Sequence, residues 1–420
     1  MLKCIRVEQL ELGMWIEELR GSWQEHPFWT ESILLSDMKD LERILGSSIR
    51  EVWIDPEKGL DVPAGTEVMT EDEADAQAKG ELGSAAQPPI QPPSHARNKS
   101  VAPVSVQEEL AQAQQICERS KEAVKSMFQE ARMGKAVDAE SAQDMVEEIS
   151  DSVSRNASAL ISLARLKTAN DYTYMHSVAV CAMMIALSKQ LGLSEDETRS
   201  AGLAGLLHDM GKATTPSEVL NKPGKLTDAE FDIMRRHPVE GHRILKQAIN
   251  LDPVALDVVL HHHEKVDGSG YPDGLKDNEI SLFAKMGAVC DVYDAITSNR
   301  PYKEGWDPAE SLHKMAEWAK GHFDQRIFQA FVKSLGIYPV GSLLKLESKR
   351  LGSVLAVVIA QSPSTLTKPV VKAFYAVAHA KLIAPEILDL SEPGSSEKIV
   401  GREDPANYKF EGLDQLWAAA

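Results

Sequence analysis

The sequence predicts a mainly α protein: a helical bundle with a small mixed α/β domain ahead of it and a short β-rich extension behind it. Three observations predict this. From Val106 to about Val340 apolar residues recur at helical spacing, punctuated by helix-start signals. Short strand-like runs crowd residues 1 to about 68 and return after Pro339. Between the first and second regions lies a segment that is acidic at first, then rich in proline and serine. The expected division is an accessory domain over 1–68, a flexible linker over 69–105, the helical domain over 106–340 and a β-rich extension and tail over 341–420. A chain of 420 residues with 43% hydrophobic content can support it.

In the first region, Cys4–Val7, Trp15–Ile16, Ile33–Leu35 and Glu51–Asp55 read as strands, and Asp37–Leu45 has helical spacing. Trp15, Trp23, Phe28 and Trp29 suggest a compact aromatic core rather than a ligand surface. The linker carries Glu71, Asp72, Glu73 and Asp75, then Pro88, Pro89, Pro92 and Pro93, and is expected not to order itself. Leu110, Ile116 and Val124 belong to one long helix; Met145, Ile149, Leu160, Ile161, Leu163 and Leu166 mark the next. Ser194–Glu197 and Thr227–Glu230 fit the capping box. Asp252-Pro253 and Asp307-Pro308 fit an N-cap followed by proline at the first helical position. Ser342–Leu346, Gly352–Ile359 and Val370–Ala376 read as strands.

Lys+Arg total 45 against 63 Asp+Glu, a net charge of −18. That argues against a nucleic-acid polymer or an anionic membrane as partner, though a small anion can still bind where metal ions and a few cations make a local positive site. Cys4, Cys117, Cys181 and Cys290 are scattered and read as free thiols of a reducing compartment. Met1–Arg6 lacks an apolar signal core, and the longest apolar run, Val178–Leu187, is far shorter than the roughly 20 residues of a membrane span. The expected location is the cytoplasm.

Histidines and carboxylates carry the chemical signal. His176, His208, Asp209, His237, His262, His263 and Asp291 sit in or beside apolar helical stretches. A lone histidine on such a face is more often a hydrogen-bonded core residue, and a lone Asp after a helix is more often a cap. Together the seven point to metal, because buried carboxylates and histidines are costly without partners. Helix neighbours point about 100° apart, so adjacent pairs such as His208-Asp209 and His262-His263 suit two ions better than one. Asp209 is the natural bridge. A ligand set without cysteine suits iron or manganese, with zinc open. Two such ions would activate a shared hydroxide and hold the oxygens of a phosphodiester. His261 points in a third direction and is read as structural.

These residues resemble the HD-GYP family of the HD phosphohydrolase superfamily. The matching stretches are Asp171–Ser177, His208-Asp209-Met210-Gly211-Lys212, His237-Pro238, His262-His263-Glu264 leading into Gly270-Tyr271-Pro272, Asp291–Thr297, and Arg300-Pro301-Tyr302-Lys303. Leu12-Gly13-Met14 and Trp23 through Phe28 more weakly resemble a domain of unknown function that often precedes such domains. The resemblance implies an HD-type phosphohydrolase bundle. It implies hydrolysis of cyclic di-GMP to linear pGpG, continuing to GMP in some members, with lower second-messenger level, more motility and less biofilm as the cellular result. It makes the seven residues above the ligands of two divalent ions, iron or manganese. Lys212 would stabilise charge on the scissile phosphate, and Asp294 would hold Lys212. Tyr271, with Gly270 and Pro272, and Arg300 and Lys303 would bind guanine or phosphate. The glycine loop would form a mobile, substrate-facing lid and a docking surface for diguanylate cyclase domains. The long helix from Val106 could support a homodimer.

Some family members carry a glutamate four residues before the first histidine, as a ligand for a third ion. Tyr172 stands there in this chain. Two ions and a linear product are therefore expected, unless water or Glu264 supplies missing ligands. The alternatives are a weakly catalytic cyclic-di-GMP receptor or docking module, and a phosphohydrolase for another cyclic dinucleotide. The intact Lys212 and ligand set argue against the first.

Overall fold

The computed structural model describes residues 2–20, 32–47, 49–63, 65–66, 68–85, 102–166, 171–222, 224, 226–248, 251–299, 305–362, 365–408, 410 and 412–418. The accessory domain is built on strands β1 (Lys3–Arg6), β2 (Trp15–Leu19), β3 (Ile33–Leu34), β4 (Glu51–Ile54) and β5 (Met69–Thr70), with helix α1 (Met38–Leu45) after β3. The strands form one antiparallel sheet in the order β3-β2-β4-β1-β5. Asp37 caps α1 by accepting the Lys39 N–H. The core of this domain is aliphatic, drawn from Ile5, Val7, Met14, Ile16, Leu35, Ile44, Val52 and Ile54. The expected aromatic core is not found among the described residues: Trp53 packs on the opposite face with Cys4 and Ala74, and Trp15 is only half-buried. Trp23, Phe28 and Trp29 lie outside the described residues.

The expected linker is partly a helix. Glu71–Ala85 forms α2, and Ala74, Ala78, Leu82 and Ala85 are buried along one stripe. Ala78, Leu82 and Ala85 join the main core, where α2 lies against α12 (Pro308–His322) and α13 (Gln325–Leu335). The acidic composition hides this stripe, because alanine adds little hydrophobicity while surrendering no side-chain entropy on burial. Residues 86–101 lie outside the described residues.

The bundle begins with two helices, α3 (Val106–Arg132) and α4 (Ala139–Arg165), which run antiparallel. Glu109 meets Ser152 and Arg155, while Arg119 further along meets Glu148. Next come α5 (Tyr172–Gln190) and α6 (Glu195–Leu207). Nearly every residue of α5 from Met175 to Ser188 is buried, so it runs through the centre of the bundle. Gly205 lets α6 approach: a Cβ there would lie 3.0 Å from the Cys181 backbone of α5. After a tight turn over Met210–Thr214 follow α7 (Ser217–Leu220), α8 (Asp228–Met234), α9 (His237–Leu245), α10 (Pro253–His261) and α11 (Leu282–Thr297). The capping boxes at Ser194 and Thr227 form as the sequence predicts, as do the Asp-Pro starts of α10 and α12.

The extension is a second antiparallel sheet: β6 (Leu343–Ser348), β7 (Gly352–Ala360), β8 (Val370–Ala376), β9 (Lys381–Asp389) and β10 (Lys398–Arg402), in the order β10-β6-β7-β8-β9, followed by α14 (Gln415–Ala418). The two strands that the sequence does not reveal, β9 and β10, are the edges. There Pro385 and Gly401 are tolerated and one-sided burial is weak. Asp307, the cap of α12, also accepts the Leu343 N–H at 2.9 Å and ties this sheet to the bundle. No helix among the described residues is long and apolar enough to cross a membrane.

Arg20 fastens the accessory domain to α12. Its buried guanidinium donates to Glu51 Oε2 at 2.6 Å and to the Glu317 carbonyl at 2.7 Å. Beside it Lys314 reaches both oxygens of Glu18. Arg20→Ala should cost about 1–3 kcal/mol, the scale of a lost charged hydrogen bond. It should also speed proteolytic release of the accessory domain. Parental denaturation midpoint and digestion rate in the variant would show that Arg20 does not hold the domain.

Candidate metal centre

The seven candidate ligands come from five helices and meet in one buried cluster. His176 lies in the second turn of α5. His208 ends α6, and Asp209 follows it. His237 is the first residue of α9; His262 ends α10, with His263 next; Asp291 lies midway along α11. Close backbone packing seats them. A Cβ on Gly211 would fall 1.8 Å from the His237 carbonyl oxygen, so only glycine lets the Asp209 turn rest against the start of α9.

Backbone carbonyls fix which ring nitrogen faces inward. His208 Nδ1 lies 2.7 Å from the Gly205 carbonyl, His237 Nδ1 2.8 Å from that of Met234, and His262 Nδ1 3.0 Å from that of Val258. A carbonyl only accepts, so each Nδ1 carries the proton, and each Nε2 of a neutral ring presents its lone pair to the cluster. These lone pairs crowd: Nε2 of His208 is 3.2 Å from Nε2 of His176, and Nε2 of His237 is 3.3 Å from Nε2 of His262. Lone pairs converging at that range repel unless a cation lies among them.

Asp209 lies between two groups of donors. Its Oδ1 is 3.2 Å from His237 Nε2 and 3.9 Å from His262 Nε2; its Oδ2 is 3.4 Å from His176 Nε2 and 3.5 Å from His208 Nε2. Oδ1 is buried without a well-formed hydrogen bond. Around it, His237, His262 and His263 form one compact set of donor atoms, and His176, His208 and Asp291 another. The donor set therefore fits divalent cations, with one carboxylate oxygen turned to each set.

The protonation states of His262, His208, Asp209 and Asp291 suit that use, whereas at His176 burial is outweighed by Asp291 and Asp294, which push it up. Burial and the neighbouring His208 and His237 push His262 down to about 3, and burial also lowers His208. Burial alone would raise Asp209, but Lys212, His208 and His237 overcome it and hold the carboxyl well below its usual range. Asp291 is likewise held low, burial being outweighed by His176 and His263. Ionised carboxylates and neutral imidazoles are the forms that ligate.

Two expectations about supporting residues need correction. Asp294 does not hold Lys212. Its Oδ2 lies 2.6 Å from His176 Nδ1, so it orients that ring, and Lys212 Nζ reaches Asp209 Oδ2 at 2.5 Å instead. Asp294 lies one helical turn after Asp291 and faces the same side, whereas the 3₁₀ turn after Asp209 folds Lys212 back onto its own segment. Glu264 is no spare ligand. Its carboxylate accepts the N–H groups of Asp273, Gly274 and Leu275 at 2.7, 3.1 and 2.9 Å and staples the glycine loop.

That loop is anchored rather than hinged. Asp267 Oδ1 accepts the Ser269 N–H and hydroxyl, and Gly268 takes a φ of +81°. A Cβ on Gly270 would meet the Lys265 N at 2.4 Å and Glu264 Cα at 2.5 Å. The glycines serve a left-handed turn and a close approach, not mobility. The loop lays Tyr271 on His263, ring centroids 4.7 Å apart, and Arg235 lies over the Tyr271 ring at 4.8 Å. Tyr172 stacks on His176, centroids 5.8 Å apart and planes within 8°. His261 is structural: it bridges Asp257 and Asp273. Arg300 and Lys303 lie outside the described residues. Sequence reasoning misses Glu264 as an anchor and Arg235 altogether; the only signal for either is adjacency to a predicted ligand.

A family model described as a domain of unknown function (DUF3391) matches residues 2–142, and one described as an HD domain matches residues 147–327. A cyclic di-GMP phosphodiesterase of Pseudomonas aeruginosa is 51% identical over 418 residues, spanning 99% of this chain and 96% of that one. The chain belongs to the HD-GYP family. Two further relatives match this HD-GYP protein over less of its length. A cyclic di-GMP phosphodiesterase response regulator of Xanthomonas campestris pv. campestris is 42% identical over 41% of this chain and 47% of its own. A 3′3′-cGAMP-specific phosphodiesterase of Vibrio cholerae is 35% identical over 39% of this chain and 38% of its own. The HD family is one of divalent-metal enzymes, in keeping with the donor set.

Gly270→Ala should destabilise this HD-GYP protein by about 1–3 kcal/mol through backbone overlap. It should leave bound metal unchanged, because the donors sit on helices. Metal analysis beside denaturant unfolding checks this; loss of metal would show that the loop helps assemble the centre.

Proposed function

We propose that this protein hydrolyses cyclic di-GMP to linear pGpG at a binuclear centre held by His176, His208, Asp209, His237, His262, His263 and Asp291. The observation that carries the proposal is Asp209, whose two oxygens face separate donor sets. Two divalent ions bound there would bind the phosphoryl oxygens and activate the attacking water. Iron or manganese suits the donors, all of them imidazole or carboxylate.

The chain's own residues have separable tasks. Asp294 holds the His176 ring in the tautomer that offers Nε2 inward. Lys212 sits at the edge of the cluster, part-exposed, where its ammonium can move from Asp209 toward charge developing on the phosphate or the departing oxygen. Tyr172 covers His176 on the side where a further carboxylate ligand would enter, which favours two ions and release of the linear product. The relative spanning nearly the whole chain is a cyclic di-GMP phosphodiesterase, and this favours cyclic di-GMP over 3′3′-cGAMP as substrate. Hydrolysis in the cell would lower the messenger, shifting behaviour toward motility and away from biofilm.

Metal-counted enzyme supplied with each cyclic dinucleotide tests the reading, with chromatography of the products. Accumulation of pGpG from cyclic di-GMP is expected; metal without turnover would reduce the protein to a receptor. Asp209→Asn should abolish turnover and lower metal content, and full activity at full metal would remove the bridging role. Lys212→Ala should keep its metal but lose ~10²–10³ in kcat, the scale of one lost charge-stabilising donor. An unchanged kcat would discard that assignment.

A further inference from the structure

A cyclic dinucleotide carries two phosphodiesters. The centre can engage one of them at a time, with Lys212 beside it. The other must be accommodated by a protein of net charge −18, and a doubly anionic ligand needs a second cation. Arg300 and Lys303, expected at the substrate, lie outside the described residues. Among the described residues several cations are committed to carboxylates: Lys212 to Asp209, Arg243 to Glu240, and Lys285 to Asp277 and Asp324.

Arg235 differs from them. It follows α8, two residues before His237, and its side chain is exposed. Its contacts among the described residues are with ring faces: Phe231 at 5.8 Å and Tyr271 at 4.8 Å. Tyr271 in turn stacks on His263. The guanidinium is thus at most two ring layers out from a member of the donor cluster. A guanidinium lying over a ring keeps the N–H groups in its own plane free, so the stack fixes its position without using its donors. The same stack occupies Tyr271 with His263 and Arg235, which leaves its ring poorly placed as a platform for guanine.

We infer that Arg235 is a substrate-binding residue that grips the second phosphodiester, the one not engaged at the metal centre. Planar donors match phosphate oxygens bidentately, and the anchored loop holds the Tyr271 support in place. This role rests on the cyclic-dinucleotide reading above. It gives the loop a second task, which is to set the distance between the two phosphate sites.

The test compares wild type, Arg235→Ala and Arg235→Lys on three substrates: cyclic di-GMP, 3′3′-cGAMP and bis(p-nitrophenyl) phosphate, a diester with no second phosphate. Arg235→Ala should raise KM about tenfold for cyclic di-GMP and for any 3′3′-cGAMP hydrolysis, with kcat within about twofold, the size of one charged hydrogen-bonding contact. Arg235→Lys should fall between, keeping charge and losing the fork. Rates on the small diester and metal content should not follow the KM change. An unchanged KM, or an equal loss on the small diester, would overturn the assignment while leaving the hydrolase reading intact. A KM rise confined to cyclic di-GMP, with 3′3′-cGAMP cleaved as before, would overturn it in favour of guanine contact. Wild type that cleaves only the small diester would overturn both readings.

Discussion

The site depends on the bond from a histidine Nδ1–H to a carbonyl of its own preceding helical turn. It recurs at His208, His237 and His262. A helix end has carbonyls to spare: those of α6 and α10 tether the rings at their own ends, and that of α8 tethers His237 at the start of α9. The tether decides the tautomer, and the tautomer decides that Nε2 lone pairs converge. At His176, within α5, the acceptor of Nδ1–H is instead the carboxylate of Asp294. Two kinds of acceptor therefore produce one outcome, a cluster of inward lone pairs around the Asp209 carboxylate.

That cluster must be buried to work and would be costly to bury without cations. The packing around it reflects the conflict. Gly205 brings α6 tightly onto α5, and Gly211 brings the Asp209 turn onto α9 at a separation no side chain would permit. Lys212 offsets part of the carboxylate charge from within its own turn. Beside the cluster, the buried Glu264 carboxylate is satisfied by three loop amides. The result is a basin whose glycine loop is pinned by the Glu264 carboxylate.

Some of this is legible residue by residue. Capping boxes are local, because Ser194 and Glu197 need only each other, and they form as predicted. The seven candidate ligands are legible because so many ionisable groups on apolar faces are costly to bury together unless cations lie among them. The α2 helix is not legible, since its alanine stripe matters only once α12 and α13 supply a surface. The partner of Asp294 is hidden for a similar reason: its contact with His176 spans 118 residues, and nothing in spacing distinguishes that from a bond to Lys212. The glycine loop suggests mobility in sequence, because composition cannot tell a glycine needed for freedom from one needed for close approach.

By itself the sequence determined the kinds of donor, the helices that carry them, the helix starts and the family. Those follow from residue type and from interactions spanning a turn or less. Tertiary structure alone decided which oxygen of Asp209 faces which donors, that Glu264 is consumed by the loop, and that Arg235, Tyr271 and His263 stack in series. These are relations between segments far apart in the chain, fixed by how the helices and the loop pack.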